Sequence, residues 1–475
     1  MLDIIIRGGD VVTPQGVAKA DVGIRGETIA VVAAPGVLDG ATATRVIDAT
    51  GRIVMPGGID PHVHMQHPFI TPDGDTLYTR GPDHVGMAAL FGGTTTLIDF
   101  AYVSSAGTVR GGIEARDTQF VGTASCDFAY HLMLQSEPPE SIIRGLVEAI
   151  QAGYPTVKIF TTNIVPQRKD RMVDLGDMWE VFKVLAKEGG LGVIHAEDND
   201  LVMHMYAKLI REGRPGFENM AEVHSQLSED ISFRRVIRLA ESVPGCALYM
   251  MHVSAATGVA AIREARARGV PIYGESLHQY MLYTAEDYKR PNGQIYHTYP
   301  SLKTKADQQA VWDGAADGSI NCVATDDLCC TLREKTLGRR IDDTTGGNSG
   351  VEPRLAVMYT EMVVKRGYSL PRYVDLVSTH AAKLMGLYPR KGAIAVGSDA
   401  DITILDPARR GRITAADLHQ TDYTPWEGHE IHAWSVLTML RGAVKVEDGR
   451  YIGKPGDGQY LKRRIPRDFI AGPML

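Results

Sequence analysis

From Pro56 onward the chain alternates short apolar runs with amphipathic stretches, and this alternation narrows the possible folds more than any other feature. Strand-like runs recur at 94–100, 126–134, 156–160, 191–197, 247–254, 271–277 and 319–327. Segments with helical spacing lie between them, at 108–120, 139–152, 176–188, 221–242, 255–268 and 304–316. With an opening strand at Ile53-Val54-Met55, which stops at Pro56-Gly57-Gly58, this makes eight strands joined by helices and predicts a parallel sheet. Eight such units over about 330 residues fit an α/β (β/α)8 TIM-type barrel with insertions, a doubly wound sheet being the alternative.

The two ends of the chain read differently. Runs at 3–7, 21–25, 28–32 and 44–48 are short strands separated by turn signals such as Gly8-Gly9 and Gly26-Glu27. After a helix expected at 379–387, the stretches 394–405 and 436–446 are β-rich again. The expected organisation is a small β-sandwich domain built from 1–55 and 386–458, with a catalytic barrel at 56–385 inserted between. A basic tail at 459–475 is expected to dock on a neighbouring subunit.

Composition bounds the function. A chain of 475 residues with 44% hydrophobic and 23% charged content is an ordinary globular protein. Its net charge of −7 gives no reason to expect nucleic acid or an anionic membrane as partner. No apolar run is long enough to span a bilayer, and Met1-Leu-Asp-Ile-Ile-Ile-Arg7 does not read as a signal peptide. Five cysteines without zinc-ribbon spacing fit reduced thiols in a cytoplasmic protein.

Catalytic groups of a (β/α)8 barrel sit at the carboxyl ends of its strands. Polar residues fall at those ends here: Asp60, His62 and His64, Asp99, His131, Lys158, His195 with Glu197, His252 with Ser254, Glu275 with His278, and Asp326 with Asp327. In an extended chain His62 and His64 point to one side and can reach one ion, although two surface histidines would look the same. Imidazole and carboxylate suit zinc and its first-row neighbours. Lys158 is the odd member, since an ammonium repels a cation. It becomes a ligand only if CO2 converts it to a carbamate; otherwise it is a lysine paired with an acid such as Glu197 or Asp326.

The motifs at 57–64 (Gly-Gly-Ile-Asp-Pro-His-Val-His), 157–160 (Val-Lys-Ile-Phe), 194–197 (Ile-His-Ala-Glu), 251–254 (Met-His-Val-Ser), 324–326 (Ala-Thr-Asp) and 397–402 (Gly-Ser-Asp-Ala-Asp-Ile) resemble the amidohydrolase superfamily. Together with 387–394 (Leu-Tyr-Pro-Arg-Lys-Gly-Ala-Ile), they resemble its hydantoinase/dihydropyrimidinase branch of cyclic amidohydrolases. The resemblance implies two divalent metal ions per subunit, zinc first with manganese, cobalt or nickel as alternatives. His62, His64 and Asp326 would hold one ion and His195 and His252 the other, with Lys158 as a bridging N6-carboxylysine. It also implies a small cyclic amide substrate and a homotetramer, or else a homodimer. Two ions about 3.5–4 Å apart lower the pKa of a shared water to near 7. Asp326 would take the proton from that nucleophile and deliver it to the leaving nitrogen.

The subfamily signals are mixed. Gln66 stands where dihydroorotases and allantoinases usually carry arginine, and Met65-Gln-His-Pro-Phe69 resembles dihydropyrimidinases. The family tyrosine five residues after the bridging lysine is Asn163, and the family Asp-His of the eighth strand is Asp326-Asp327. Asn163, His67, Phe69, Ile164 and His278 are the candidate substrate contacts. Competing readings are an inactive dihydropyrimidinase-related scaffold, an allantoinase- or dihydroorotase-like enzyme, and a deaminase. The full set of six ligands argues against the scaffold, and Lys158 against a mononuclear deaminase.

Overall fold

The alternation of the middle segment becomes one eight-stranded parallel sheet in the computed structural model, which describes residues 1–475. Its strands are β1 (Gly58–Asp60), β2 (Thr94–Val103), β3 (Asp127–Leu134), β4 (Thr156–Phe160), β5 (Leu191–His195), β6 (Ala247–Met250), β7 (Ile272–Leu277) and β8 (Cys322–Ala324). Each pairs with the next in sequence order, as βαβ units do. The gap between β8 and β1 is closed just beyond the strand ends. Val63 bridges Asp327 in parallel register, the His64 amide donates to the Asp327 carbonyl at 2.8 Å, and the Thr325 amide donates to Asp60 Oδ1 at 3.3 Å.

Alternation along each strand separates two environments. On β4, Val157 and Ile159 pack outward with Val181, Phe182 and Leu185 of the helix Leu175–Glu188. Thr156, Lys158 and Phe160 therefore face the barrel interior. The same parity puts His131 of β3, His195 of β5 and Glu275 of β7 inside, among Ile98, Phe100, Val193, Tyr249 and Tyr273. Titratable groups in an apolar tube must find partners or shift their protonation.

The two ends of the chain form one nine-stranded sheet, separate from the barrel. Its central strand, Leu2–Thr13, pairs Gly16–Arg25 on one side. On the other it pairs first Ala43–Asp48 and then Ile53–Pro56, changing partner past Gly8, which has φ 71°. The chain's last strands join through Ile402–Asp406, and the sheet wraps a core of Ile6, Val22, Ile24, Val54, Ile402 and Ile404.

Three expectations are corrected. Ile53–Pro56 is not the opening strand of the barrel: it lies between Leu2–Thr13 and Ile402–Asp406 in the terminal sheet, and Gly58–Asp60 is the first barrel strand. An apolar run buried on both faces reads alike in either sheet, and the Pro56-Gly57 break turned out to separate two sheets. A side chain at Gly57 would come within 2.2 Å of Thr95 Oγ1, so the crossing requires glycine. The runs 247–254 and 319–327 are strands only over Ala247–Met250 and Cys322–Ala324, so His252 and Asp326 lie beyond the ladder. Helices at Pro82–Phe91 and Asn199–Arg211 complete βα units for which helical spacing had not been read.

The segment after residue 458 crosses the amino-terminal end of its own barrel. The Leu461 amide donates to Phe128 O at 2.8 Å, Arg463 Nη2 to Thr156 Oγ1 at 2.9 Å, and the Tyr273 hydroxyl to Phe469 O at 2.8 Å. No helix is long and apolar enough to cross a membrane, and the five cysteines are free and buried.

Candidate metal centre

At the opposite, carboxyl end of the barrel the strands stop and the ligand-type residues begin. His62, His252 and Asp326 each sit two residues past the last residue of β1, β6 and β8. His252 and Asp326 have φ of 40° and 52°, a region that costs energy for any residue but glycine. The strained turn swings each side chain into the barrel mouth instead of continuing the strand.

The side chains converge. His62 Nε2 and His64 Nε2 both lie 3.0 Å from Asp326 Oδ1, and the ligand atoms of the three residues fall within 4.8 Å of one another. The His195 and His252 rings are 4.4 Å apart between centroids, and His252 is 5.5 Å from His62. Lys158 Nζ stands over Phe160 at 4.8 Å and Phe100 at 5.6 Å, with Met251 Sδ at 2.8 Å. It forms no ion pair. Asp326 is engaged by His62, His64 and the Thr298 hydroxyl, and Glu197 by His195 and His224. The paired-lysine alternative is therefore not what the chain builds.

Behind these residues lies a set of carboxylates that fix them. His62 Nδ1 is held by Glu275 Oε1 at 2.8 Å, leaving Nε2 for the centre. His195 Nε2 is held by Glu197 at 2.9 Å, and Glu197 is itself held by His224 Nδ1 at 2.8 Å, leaving His195 Nδ1 free. Carboxylates in this position set the tautomer and orientation of an imidazole that ligates a metal. Asp60 ties the Thr325 hydroxyl at 2.7 Å and the His62 amide at 3.2 Å, so the loops after β1 and β8 move as one. Asp99 holds the Met65 amide at 2.7 Å and is paired with buried Arg116. His131 braces the same loop, with Nε2 2.9 Å from Pro61 O.

The protonation states follow from this setting. Burial pulls the His62 imidazole down, but Asp326 and Glu275 outweigh it and raise it to about 9. Burial lowers His195 to about 4 and Lys158 to about 7. Burial opposes ionisation of Asp326, yet His62 and His64 hold it well below the usual carboxylate range. A lysine held near neutrality presents the free-base amine that reacts with CO2. Donor type, convergence and outer carboxylates together fit divalent first-row ions: two imidazoles and a carboxylate on one side, two imidazoles on the other, Lys158 between.

A cleft opens above these residues. His67 and Phe69 line it as expected, and so does Ile164, which has φ 68°. The Tyr102 hydroxyl contacts the His67 ring. Asn163 and His278 are placed otherwise. Asn163 Oδ1 accepts the Arg171 and Met172 amides at 3.2 and 3.1 Å, so its amide shapes its own loop and not the cleft wall. His278 is buried and stacks on Trp426 at 4.0 Å. Asp327 also turns away. Its Oδ1 accepts from the Gly350 amide at 2.8 Å and Gln420 at 2.6 Å, and burial raises it to about 7. Sequence reasoning missed His224, Thr298 and Tyr299, which reach the site through long loops, and Arg168 and Arg171 in the loop after β4. The only signal for the two arginines was their place in the loop that follows Lys158, in Gln167-Arg-Lys-Asp-Arg171.

Comparison with known proteins agrees with this geometry. A model of the amidohydrolase family matches residues 53–444. The chain is 34% identical over 467 residues to a D-hydantoinase of Geobacillus stearothermophilus, covering 97% of this chain and 96% of the relative. It is also 34% identical over 478 residues to a D-hydantoinase of Rhizobium radiobacter, covering 98% and 99%. The crystal structure of dihydropyrimidinase from Brevibacillus agri NCHU1002 superposes with a TM-score of 0.91 at 31% identity, covering 98% of this chain and 99% of that one. The chain belongs to the amidohydrolase family, in its hydantoinase/dihydropyrimidinase group.

Proposed function

We propose that this protein hydrolyses a C–N bond in a cyclic amide, imide or ureide, as its D-hydantoinase and dihydropyrimidinase relatives are named for doing. The observation that carries the reading is the convergence of His62, His64, Asp326, Lys158, His195 and His252 at the carboxyl end of a barrel of this family. His62, His64 and Asp326 would hold one divalent ion, His195 and His252 a second, and carboxylated Lys158 would link the two. Bound there, a zinc pair supplies an acidified water and polarises the ring carbonyl.

The chain's own residues supply the rest. Asp326 is ionised and faces the centre, so it takes a proton from the nucleophile and returns it to the ring nitrogen as the C–N bond breaks. Thr298 and the two imidazoles fix the direction of its oxygens. Glu275 and Glu197 keep His62 and His195 from turning. Phe100 and Phe160 flank Lys158 and exclude bulk water from its amine. We place the enzyme in the cytoplasm as a homotetramer, with residues 459–475 beside a subunit contact. Domain limits at 55, 385 and 458 belong to the same proposal.

The test is metal analysis of the purified protein together with assays on hydantoin, dihydrouracil, dihydroorotate, allantoin and succinimide. About two ions per chain and ring opening of at least one of these is the expected result. A fully active preparation with one ion or none would overturn the binuclear reading. A metal-replete protein that deaminates a ring amine and opens no ring would overturn the reaction class.

A further inference from the structure

The wall of the cleft carries two cations that the ring-opening chemistry does not use. Arg168 and Arg171 both line it, in the loop that follows Lys158. Neither guanidinium forms an ion pair. Arg171 lies over Tyr102 at 5.1 Å and Phe160 at 5.9 Å, and its Nη1 meets only Met133 Sδ, at 3.8 Å. Tyr299, Tyr206 and, more weakly, Asp170 favour the charge on Arg168, and Asp170 also favours that on Arg171, although its carboxylate pairs with neither guanidinium and does not line the cleft. Asp326 is the sole carboxylate lining the cleft, and His62, His64 and Thr298 already occupy it.

The arginines are also near the reacting centre. Phe160 carries Lys158 Nζ at 4.8 Å and Arg171 at 5.9 Å. Tyr102 lies under Arg171 and touches His67, whose ring is 5.1 Å from that of His64. The Arg171 amide is fastened by Asn163 Oδ1, so the loop presents the guanidinium from a fixed point. Burial works against both charges, and repulsion from Arg171 adds to it at Arg168. A protein that holds two unpaired guanidiniums in a half-closed cleft bears a desolvation cost that an incoming anion relieves. The planar guanidinium fork matches a carboxylate with two parallel hydrogen bonds.

Resting on the ring-opening reading, we infer that the substrate is a cyclic ureide or imide whose ring substituent ends in a carboxylate, and that Arg168 and Arg171 bind that carboxylate. Adding water across the ring C–N bond of such a ureide gives a dianionic N-carbamoyl amino acid, and of such an imide a dianionic half-amide. The net positive wall also draws anionic substrate toward the cleft, an effect that salt screens.

The test compares 5-(2-carboxyethyl)hydantoin with 5-(2-carbamoylethyl)hydantoin, which has the same shape without the charge. The metal-loaded wild type should favour the acid by about 10- to 100-fold in kcat/KM, mainly through KM, and less so in high salt. Arg168→Gln and Arg171→Gln should each collapse that ratio, and Arg171→Lys should retain part of it. An amide opened as well as the acid by the wild type would overturn the inference. So would a preference that survives in both glutamine variants. Calorimetric binding of the two hydantoins separates the two levels of the argument. If neither ring opens but the acid still binds more tightly in an arginine-dependent way, the ring-opening reading fails and the anion subsite stands. Equal binding of both removes the subsite.

Discussion

The floor of the cleft and its wall are built on opposite plans. On the floor, the ligand-type residues are braced from behind: His62 rests on Glu275, His195 on Glu197 and through it on His224, Asp326 on Thr298, and Asp60 on Thr325. Apart from His224 and Thr298, these residues come from strands or strand ends that the barrel ladder holds. The wall comes mainly from loops after β1, β4, β7 and β8, and its groups are less committed: Arg168 and Arg171 lack ion pairs, and Ile164 sits at φ 68°. On the proposed function, reaction type resides in the floor and substrate choice in the wall. On that function, a centre holding two like-charged ions needs rigid, compensated ligands, whereas a wall left uncompensated spends its binding capacity on the substrate.

Substitutions on the floor should break the chemistry outright. Lys158→Ala should leave no detectable turnover and reduce bound metal from about two ions to about one or fewer. Short carboxylic acids are expected to restore a little activity by standing in for the carbamate; metal analysis beside the kinetic assay checks both. Asp326→Asn should retain some metal and lower kcat by about 10²–10⁴-fold, since it removes the proton acceptor. Near-normal turnover in that variant would move the proton transfer elsewhere, and Asp327 is turned away into Gln420 and the Gly350 amide.

One layer back, Glu275→Gln should weaken metal binding by about 10- to 100-fold without a change in fold, read by competition with a chelator. A pH experiment sharpens the same point. Burial holds Lys158 near 7, and CO2 adds only to its neutral amine. At fixed dissolved CO2 and zinc, metal-stripped protein should regain activity faster as pH rises through 7, and the rate should go on rising toward 9 as His62 loses the proton that competes with the metal. A flat or falling profile would contradict the amine's setting.

The wall should respond more mildly and in a different constant. Asn163→Ala frees the Arg171 and Met172 amides, so the loop loosens while the metal ligands stay in place. KM for a carboxylated hydantoin should rise by about 5-fold with full metal content retained, the scale of one neutral hydrogen bond. A comparable loss in kcat or in metal would mean that floor and wall are not separable.

The strand–helix alternation was enough to determine the barrel, and the coincidence of imidazole, amine and carboxylate with strand ends was enough to nominate His62, His64, Lys158, His195, His252 and Asp326. Both signals are local. A residue's parity within a strand and its distance from the strand end are written in the few residues around it. Which sheet Ile53–Pro56 would join was not written there, because an apolar run buried on both faces suits either.

Only the folded chain decided who stands behind and beside the centre. Glu275 reaches His62 across 213 residues, and His224 reaches Glu197 across 27, through contacts with no trace in local pattern. Loop conformation decided the wall. Asn163, His278 and Asp327 carry polar groups suited to a cleft, yet their backbones aim them into a loop, onto Trp426 and toward Gln420. Arg168 and Arg171 stand in Gln167-Arg-Lys-Asp-Arg171, which carries no site signal in the sequence, and the same loop turns them inward. A strand fixes the side-chain direction of its residues by its pleat; a loop leaves that direction to whatever the rest of the molecule packs against it.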